Sequence, residues 1–462
     1  MLLSNMLLKF INREKELEAL ENSYESNNPA FIIIYGRRRL GKTELVKRFI
    51  KDKRAFYFLA KQEKLELEFE RFKEKFAKKH NIFLEANNWE KLFEEIGEKV
   101  KGRLIIVIDE FPYWVIKDEK ILSEFQYLWD EILSKQNMVL ILLGSYISIM
   151  EQKVIGYKSP LYGRRTSQIE VNPLRVTDIK EFFPKYKIQD IIRTYGASDT
   201  IPYYLIQFDR NKTFWQNIAD TFLNTSNPLY QDAEILLSAE LREYNTYFNI
   251  IKTIIDGATK LSEIANKSKV DITNISKYLK VLTGLKIIKK IKSVTASLKE
   301  KNYLYELEDN YFRFWLTYVY PYKEEIEENT DQHLKNIMKD HPRYMGKIFE
   351  QFITKTLPQI VNMKFSKIGR WWYKDREIDI VALNEQTKKI LFAECKWQEN
   401  VNANRILQEL KEKTGFVDWN RNKRKEYYAI FAKSFKKKVK GCYCFDLKDI
   451  SKHLHSTTKT EK

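Results

Sequence analysis

Short, almost wholly apolar runs punctuate the first part of the chain: FIIIY at 31–35, AFYFLA at 55–60, LIIVI at 104–108 and MVLILL at 138–143. They fall far short of the roughly 18 residues a bilayer-spanning helix needs, so they are predicted to be buried strands and the chain is not a membrane chain. Helical stretches separate them, one starting at Lys42 and others long and amphipathic, which is the rhythm of a parallel α/β sheet from residue 31 to about 173. A helical region follows to about 240. From 247 to about 320 the pattern is three helices and then a basic two-strand segment, and the charged stretch 323–339 reads as a linker or connecting helix. A last α/β unit opens near Pro342. The predicted fold class is therefore α/β, with boundaries at 1–175 for the parallel-sheet core, 176–240 for a helical coupling region, 241–322, 323–341 for the linker, and 342–462 for the smaller α/β domain.

Composition adds three constraints. A length of 462 residues suggests two to four domains, of which three are expected, and 44% hydrophobic residues suffice to fill their cores. Three cysteines (Cys395, Cys442, Cys444) form no disulfide framework, and five histidines show no zinc-ligand spacing, so a reducing cytoplasm fits. The opening MLLSNMLLKF lacks the pattern of a signal peptide. A net charge of +18 and pI near 9.3 point either to a polyanionic partner, nucleic acid first and an acidic membrane surface second, or to a solvated lysine-rich surface. The location of the charge must decide between them.

The candidate chemistry starts after the first strand. GRRRLGKT (Gly36, Arg37, Arg38, Arg39, Leu40, Gly41, Lys42, Thr43) has the G-x-x-x-x-G-K-T spacing between a strand and a helix, the context in which that motif binds nucleotide phosphates. Its glycines let backbone N–H groups turn toward phosphate oxygens, and the helix N-terminus adds positive charge. Lys42 is placed to reach the β- and γ-phosphates of ATP and Thr43 to ligate Mg2+. Asp109 and Glu110 end the third apolar run, Asp109 to hold the metal and Glu110 to polarise the attacking water. Ser145, ending the fourth run, either touches the γ-phosphate or water or is a simple turn serine.

With FINREKELEAL (Phe10, Arg13, Glu14, Glu16, Leu17), GRRRLGKT, IDEFPY, LLGSY, SPLYGRRT and GASDTIPYYL, the chain resembles the archaeal ATPase family within the AAA+ and STAND-like P-loop NTPases. That resemblance implies Ser145 as a sensor serine, Arg164 or Arg165 as an arginine finger supplied in trans, and hence a homo-oligomer. A basic loop is the plainer reading of the two arginines. Gly196 and Pro202 resemble the element that couples nucleotide to the following helical domain, although GASDTIP departs from GGxP.

In the middle region Ile275, Leu279 and Leu282 form a helical stripe capped by Asp271, with Thr273, Asn274, Ser276, Lys277 and Lys280 opposite. Followed by Lys286, Lys289, Lys290, Lys292 and Tyr303 to Tyr305, it resembles a winged helix that either reads DNA or packs structurally. Beyond it, YMGKIFEQFITKTL is an amphipathic helix with Met345, Ile348, Phe349, Phe352 and Ile353 on its stripe and Glu350 at its polar edge. In the strands EIDIVAL and ILFAECKW, alternation puts Glu394 and Lys396 on one face, with Ala393, Cys395 and Trp397 on the other. A hairpin folded between Gln386 and Thr387 sets Asp379 opposite Glu394, two carboxylates beside one lysine suited to Mg2+. The set Asp379, Glu394, Lys396 and Glu350 resembles restriction-endonuclease-like nucleases of the PD-(D/E)xK pattern. Basic runs at 421–425 and 433–440, interleaved with Trp419, Tyr427 and Tyr428, suit a phosphate backbone or a bland surface.

Two functions emerge: an ATP-dependent DNA-associated machine with a nuclease-like domain, or a nucleotide-switched regulator in which that domain does not cut. Action on protein or RNA is a third.

Overall fold

The computed structural model describes residues 10–241, 243–297, 299–300 and 302–457. The segment 1–9, read above for a leader, lies outside them. The chain divides into two compact units, one reaching Leu174 and including Ile201–Tyr203, the other comprising Arg175–Thr200 and Tyr204 onward.

The first unit is built on β1 (Ala30–Tyr35), β2 (Ala55–Leu59), β3 (Leu104–Asp109), β4 (Met138–Gly144) and β5 (Ser167–Glu170). They form one parallel sheet in the order β2-β3-β4-β1-β5. Every residue of β1, β3 and β4 is buried, which is why these strands read as unbroken apolar runs rather than alternating ones. An aromatic core carries Phe56 and Phe58 of β2, Phe72 and Phe76 of the helix Leu65–His80, and Trp89 and Phe93 of the helix Trp89–Lys99. Their i, i+4 spacing puts each helical pair on one face. Because β3, β4 and β1 are neighbours and all run the same way, the residues after them gather at one sheet edge, where ligands bind in open α/β sheets.

In the second unit the helices Tyr244–Ile255, Leu261–Ser268 and Ile272–Gly284 precede an antiparallel pair, β6 (Ile288–Ile291) and β7 (Leu304–Leu307). Ile275, Leu279 and Leu282 are buried, while Thr273, Asn274, Ser276, Lys277 and Lys280 are exposed. Asp271 caps the third helix by accepting from the Thr273 N–H at 2.7 Å. The stretch read as a linker or connecting helix is helical and continues through Pro342 as the helix Lys323–Ile360, broken only by non-helical backbone at Asn329. Pro342 therefore opens no new element. A proline inside a helix costs about 3 kcal/mol, and the burial of Ile337, His341, Tyr344, Met345, Ile348, Phe349 and Phe352 on both sides of it offsets that cost.

A second sheet follows, of β8 (Lys367–Tyr373), β9 (Arg376–Asn384), β10 (Lys389–Lys396), β12 (Lys425–Ala432) and β14 (Tyr443–Phe445), in the order β14-β12-β10-β9-β8. A short pair, β11 (Val401–Asn402) and β13 (Phe435–Lys437), stands beside it. Among the described residues no helix is long and apolar enough to cross a membrane.

Candidate functional site

At the edge of the parallel sheet the loop after β1 turns sharply. Gly36 has φ +149°, and a Cβ there would lie 2.3 Å from the Val171 carbonyl oxygen, so only glycine fits. Gly41, at φ +83°, ends the loop, and Lys42 opens the helix Lys42–Phe49. Lys42 is buried, its Nζ donating to the carbonyls of Gly36 at 2.8 Å and Arg37 at 2.9 Å. The Arg38 guanidinium stacks over Tyr146 and that of Arg39, itself at φ +72°, over Tyr203. Leu40 is buried, and its carbonyl accepts from Arg13 at 3.1 Å.

The next residue of the helix reaches the acidic strand end. Thr43 Oγ1 donates to Asp109 Oδ2 at 2.7 Å, and the Tyr57 hydroxyl donates to the same oxygen at 2.6 Å. Burial, and then the Asp109 carboxylate, push the Tyr57 phenol's pKa up, so it stays a donor. Glu110 sits at φ +57°, a strained conformation for glutamate that recurs at functional sites. Its Oε1 accepts from Ser145 Oγ at 2.7 Å, and its Oε2 is buried without a hydrogen-bond partner. A phosphate chain with Mg2+ fits these residues: the loop is shaped by a glycine that no other residue replaces, an amine and a hydroxyl stand at its helix end, and one carboxylate oxygen remains unsatisfied.

The arginines behave differently. Arg164 pairs with Asp130 through Nε and Nη2, at 2.8 Å, and Arg165 donates to the Ile155 carbonyl at 3.3 Å. Those partners are in the neighbouring turn and helix rather than in the phosphate loop. Gly196 lies within the helix Ile188–Ser198, where a Cβ would come 3.0 Å from Ile348, and its carbonyl accepts from the Tyr344 hydroxyl at 2.6 Å. Pro202 opens the short helix Pro202–Leu205.

In the second unit β9 and β10 pair antiparallel with Ala393 against Ile380 and Ile390 against Leu383, a register that carries Glu394 to Asp379. Asp379 Oδ2 accepts from the Cys395 N–H at 2.9 Å. Lys396 Nζ donates to Glu394 Oε2 at 2.6 Å and lies 3.6 Å from Asp379 Oδ2, while Lys413 donates to Glu394 Oε1 at 2.8 Å. Burial first, then the Asp379 charge, raises the Glu394 pKa and pushes Glu350 up to about 7. Burial opposes the Lys396 charge, but Asp379 and Glu394 outweigh it and hold the amine protonated. Glu350 itself accepts from Lys347 at 2.8 Å. Among the described residues no three His, Cys, Asp or Glu side chains are grouped to hold a metal ion: lysines take up the charge of Glu350 and Glu394.

Residues 10–208 match an ATPase domain found predominantly in Archaea. An uncharacterized protein of Methanocaldococcus jannaschii is 36% identical over 450 residues, which span 96% of this chain and 100% of that one. The chain belongs to the archaeal ATPase family. A second protein of the same archaeon, described as an uncharacterized ATP-binding protein, is 48% identical over 48 residues, 10% of this archaeal ATPase and 81% of the relative. A Walker-type ATPase of Pyrococcus abyssi shares the fold, with a TM-score of 0.50 at 22% identity, covering 66% of this chain and 96% of that one. Residues 315–406 match a family described as Archaea bacterial proteins of unknown function, and this stretch contains Glu350, Asp379, Glu394 and Lys396.

Two contributors to the archaeal ATPase site escape sequence reasoning. Tyr57 is the one half-buried residue between Phe56 and Phe58, and the polar tip in an apolar run was its only signal. Arg13, quoted in the opening box without a role, is buried and braces the loop through Leu40 and, at 2.8 Å, the Asn172 carbonyl.

Proposed function

We propose that this archaeal ATPase binds MgATP on Gly36 to Thr43, hydrolyses it with Glu110 as the water-orienting base, and acts on DNA through the 241–322 region, as a winged helix, and a PD-(D/E)xK-like C-terminal domain. The observation that carries the ATPase half is the convergence of Lys42, Thr43, Asp109 and the Ser145–Glu110 pair at one edge of three adjacent parallel strands. Thr43 and Asp109 would hold the magnesium, which supplies charge neutralisation at the β- and γ-phosphates. Lys42 exchanges its two carbonyl partners for phosphate oxygens. Ser145 fixes one oxygen of Glu110 so that the other is aimed for a water proton. Lys42→Ala is expected to abolish nucleotide binding and Glu110→Gln to keep binding while slowing phosphate release. Normal turnover in both would sink the assignment.

What supports the DNA half is the +18 net charge and the lysines of the third helix and β6. The expected partner is DNA, the location cytoplasmic, and the assembly a homo-oligomer if Arg164 or Arg165 leaves its present partner to act in trans. The PD-(D/E)xK reading rests on Asp379, Glu394 and Lys396 sharing one strand register. A divalent-metal cleavage assay on linear, single-stranded and branched DNA, comparing wild type with Asp379→Ala, tests it. One observation favours the second reading, a nucleotide-switched regulator with a non-cleaving domain: Lys396 and Lys413 already satisfy both Glu394 oxygens. No cutting under any condition would leave that reading standing.

A further inference from the structure

The β6–β7 pair is docked onto the sheet that carries Asp379. The Val294 N–H, just past β6, donates to the Arg370 carbonyl at 3.0 Å, and the Val294 side chain packs on the cluster of Trp371, Ile378 and Phe392. Arg370 lies in a β-bulge, where the β8–β9 register slips between Gly369 and Trp371. A bulge re-aims its side chain out of the regular alternation. Here that side chain meets Glu306 of β7, with Nη1 to Oε1 at 2.9 Å.

Glu306 is an unusual residue to find there. It is only 8% exposed, and it faces Lys347 at 3.4 Å and Lys289 at 3.7 Å in addition to Arg370. Burial works against its charge, but Lys347, Lys289 and Arg370 together keep it ionised. Lys347 continues to Glu350, and the group borders a cavity of about 270 Å³ whose wall also includes Asp379, Lys355 and Gln351. Gln351 is itself 8% exposed, and neither its amide oxygen nor its nitrogen has a hydrogen-bond partner. A buried amide left unsatisfied at a charged cavity marks space for a polar ligand. Arg370 divides its fork, Nη1 to Glu306 and Nη2 to Glu377, and a guanidinium beside a lysine accepts phosphate oxygens as well as carboxylate oxygens.

We propose that Lys347 and Arg370 form a seat for a DNA backbone phosphate beside Asp379, and that Glu306 of the β6–β7 pair is its resident occupant, so that hairpin and DNA compete for the same two cations. The proposal rests on the reading of this unit as DNA-acting. It makes the hairpin a guard over the carboxylate cluster: DNA that reaches Asp379 displaces Glu306, and with it the Val294 contact to Arg370.

The test uses the full chain and a fluorescent DNA duplex. Anisotropy titrations across a salt series compare wild type with Glu306→Gln, which keeps the shape and removes the charge. Because each added phosphate contact steepens the slope of log K against log salt by about 0.9, the variant is expected to bind more tightly at low salt with a slope steeper by about 1 to 2. Equal affinity and slope, with DNA bound by both, overturn the phosphate seat and leave the DNA reading intact. No binding by either overturns both. Hydrogen exchange of the Val294 amide in the wild type covers the case in which the variant fails to fold: saturating duplex is expected to speed it at least severalfold, and unchanged or slower exchange overturns the proposal. Neither readout depends on cleavage, so a domain that never cuts removes only the nuclease reading.

Discussion

Ser145 Oγ donates to Glu110 Oε1 at 2.7 Å, joining the end of β4 to the end of β3. The pair turns a flexible side chain into a fixed one. It also accounts for a serine that the chain pattern alone leaves as either a phosphate contact or a turn residue.

Ser145→Ala should therefore act on turnover rather than on binding. A hydrogen bond to a charged group contributes about 1.5–3 kcal/mol, so kcat is expected to fall roughly 10- to 150-fold while the ATP dissociation constant changes less than about twofold. Phosphate release and nucleotide titration measure the two separately. A loss confined to affinity would return Ser145 to a direct phosphate contact.

Arg13→Ala removes the donors to the Leu40 and Asn172 carbonyls from a buried position. Leaving the buried Leu40 carbonyl without this donor costs about 1–3 kcal/mol, so thermal unfolding of the first unit should come several degrees earlier and nucleotide should bind more weakly. Saturating MgATP should recover part of that shift by mass action. An unchanged melting curve would refute the brace.

The two loop glycines are expected to differ. Gly41→Ala meets nothing within 4 Å and carries only the left-handed backbone cost, about 1–2 kcal/mol. Gly36→Ala collides with the Val171 carbonyl and must shift β1 or the segment beside it. Differential scanning calorimetry should show the larger loss in Gly36→Ala; equal losses would mean the loop yields more easily than its contacts indicate.

Glu350 supplies a pH test. Its folded pKa of about 7 exceeds the ordinary 4.5 because of burial and the nearby Asp379. The folded state then holds this proton more tightly than the unfolded state, so the associated stability is complete below pH 4.5 and lost as pH rises through 7. The slope is at most about 1.4 kcal/mol per pH unit. Across that window the melting temperature of wild type should fall relative to Glu350→Gln, and parallel curves would contradict the shift.

The sequence made some relationships legible because they are periodic. The buried strands, the Ile275–Leu279–Leu282 stripe and the facing of Asp379 and Glu394 all follow from alternation or helical repeat, and a turn centred between Gln386 and Thr387 suffices for the last. What it hid depends on distant partners. Nothing near Tyr57 announces Asp109, nothing near Lys413 announces Glu394, and Glu306 looks like an ordinary strand glutamate until Arg370 is beside it. Pro342 is the opposite case: a strong local helix-breaking signal is overridden by apolar burial on both sides of it.

The unbroken stretch of helix from Thr330 to Ile360 has one more implication. An α-helix advances 100° per residue, so this segment acts as an angular ruler: Ile337, Tyr344 and Ile348 set its phase against their neighbours, and Glu350 inherits it. Adding or deleting a single residue around Pro342 would turn Ile337 and His341 about a quarter-turn relative to Tyr344, Ile348 and Glu350, so that the two halves of the helix could no longer both keep their buried faces. A related chain that keeps the carboxylate cluster is therefore expected to keep this helical spacing to the residue.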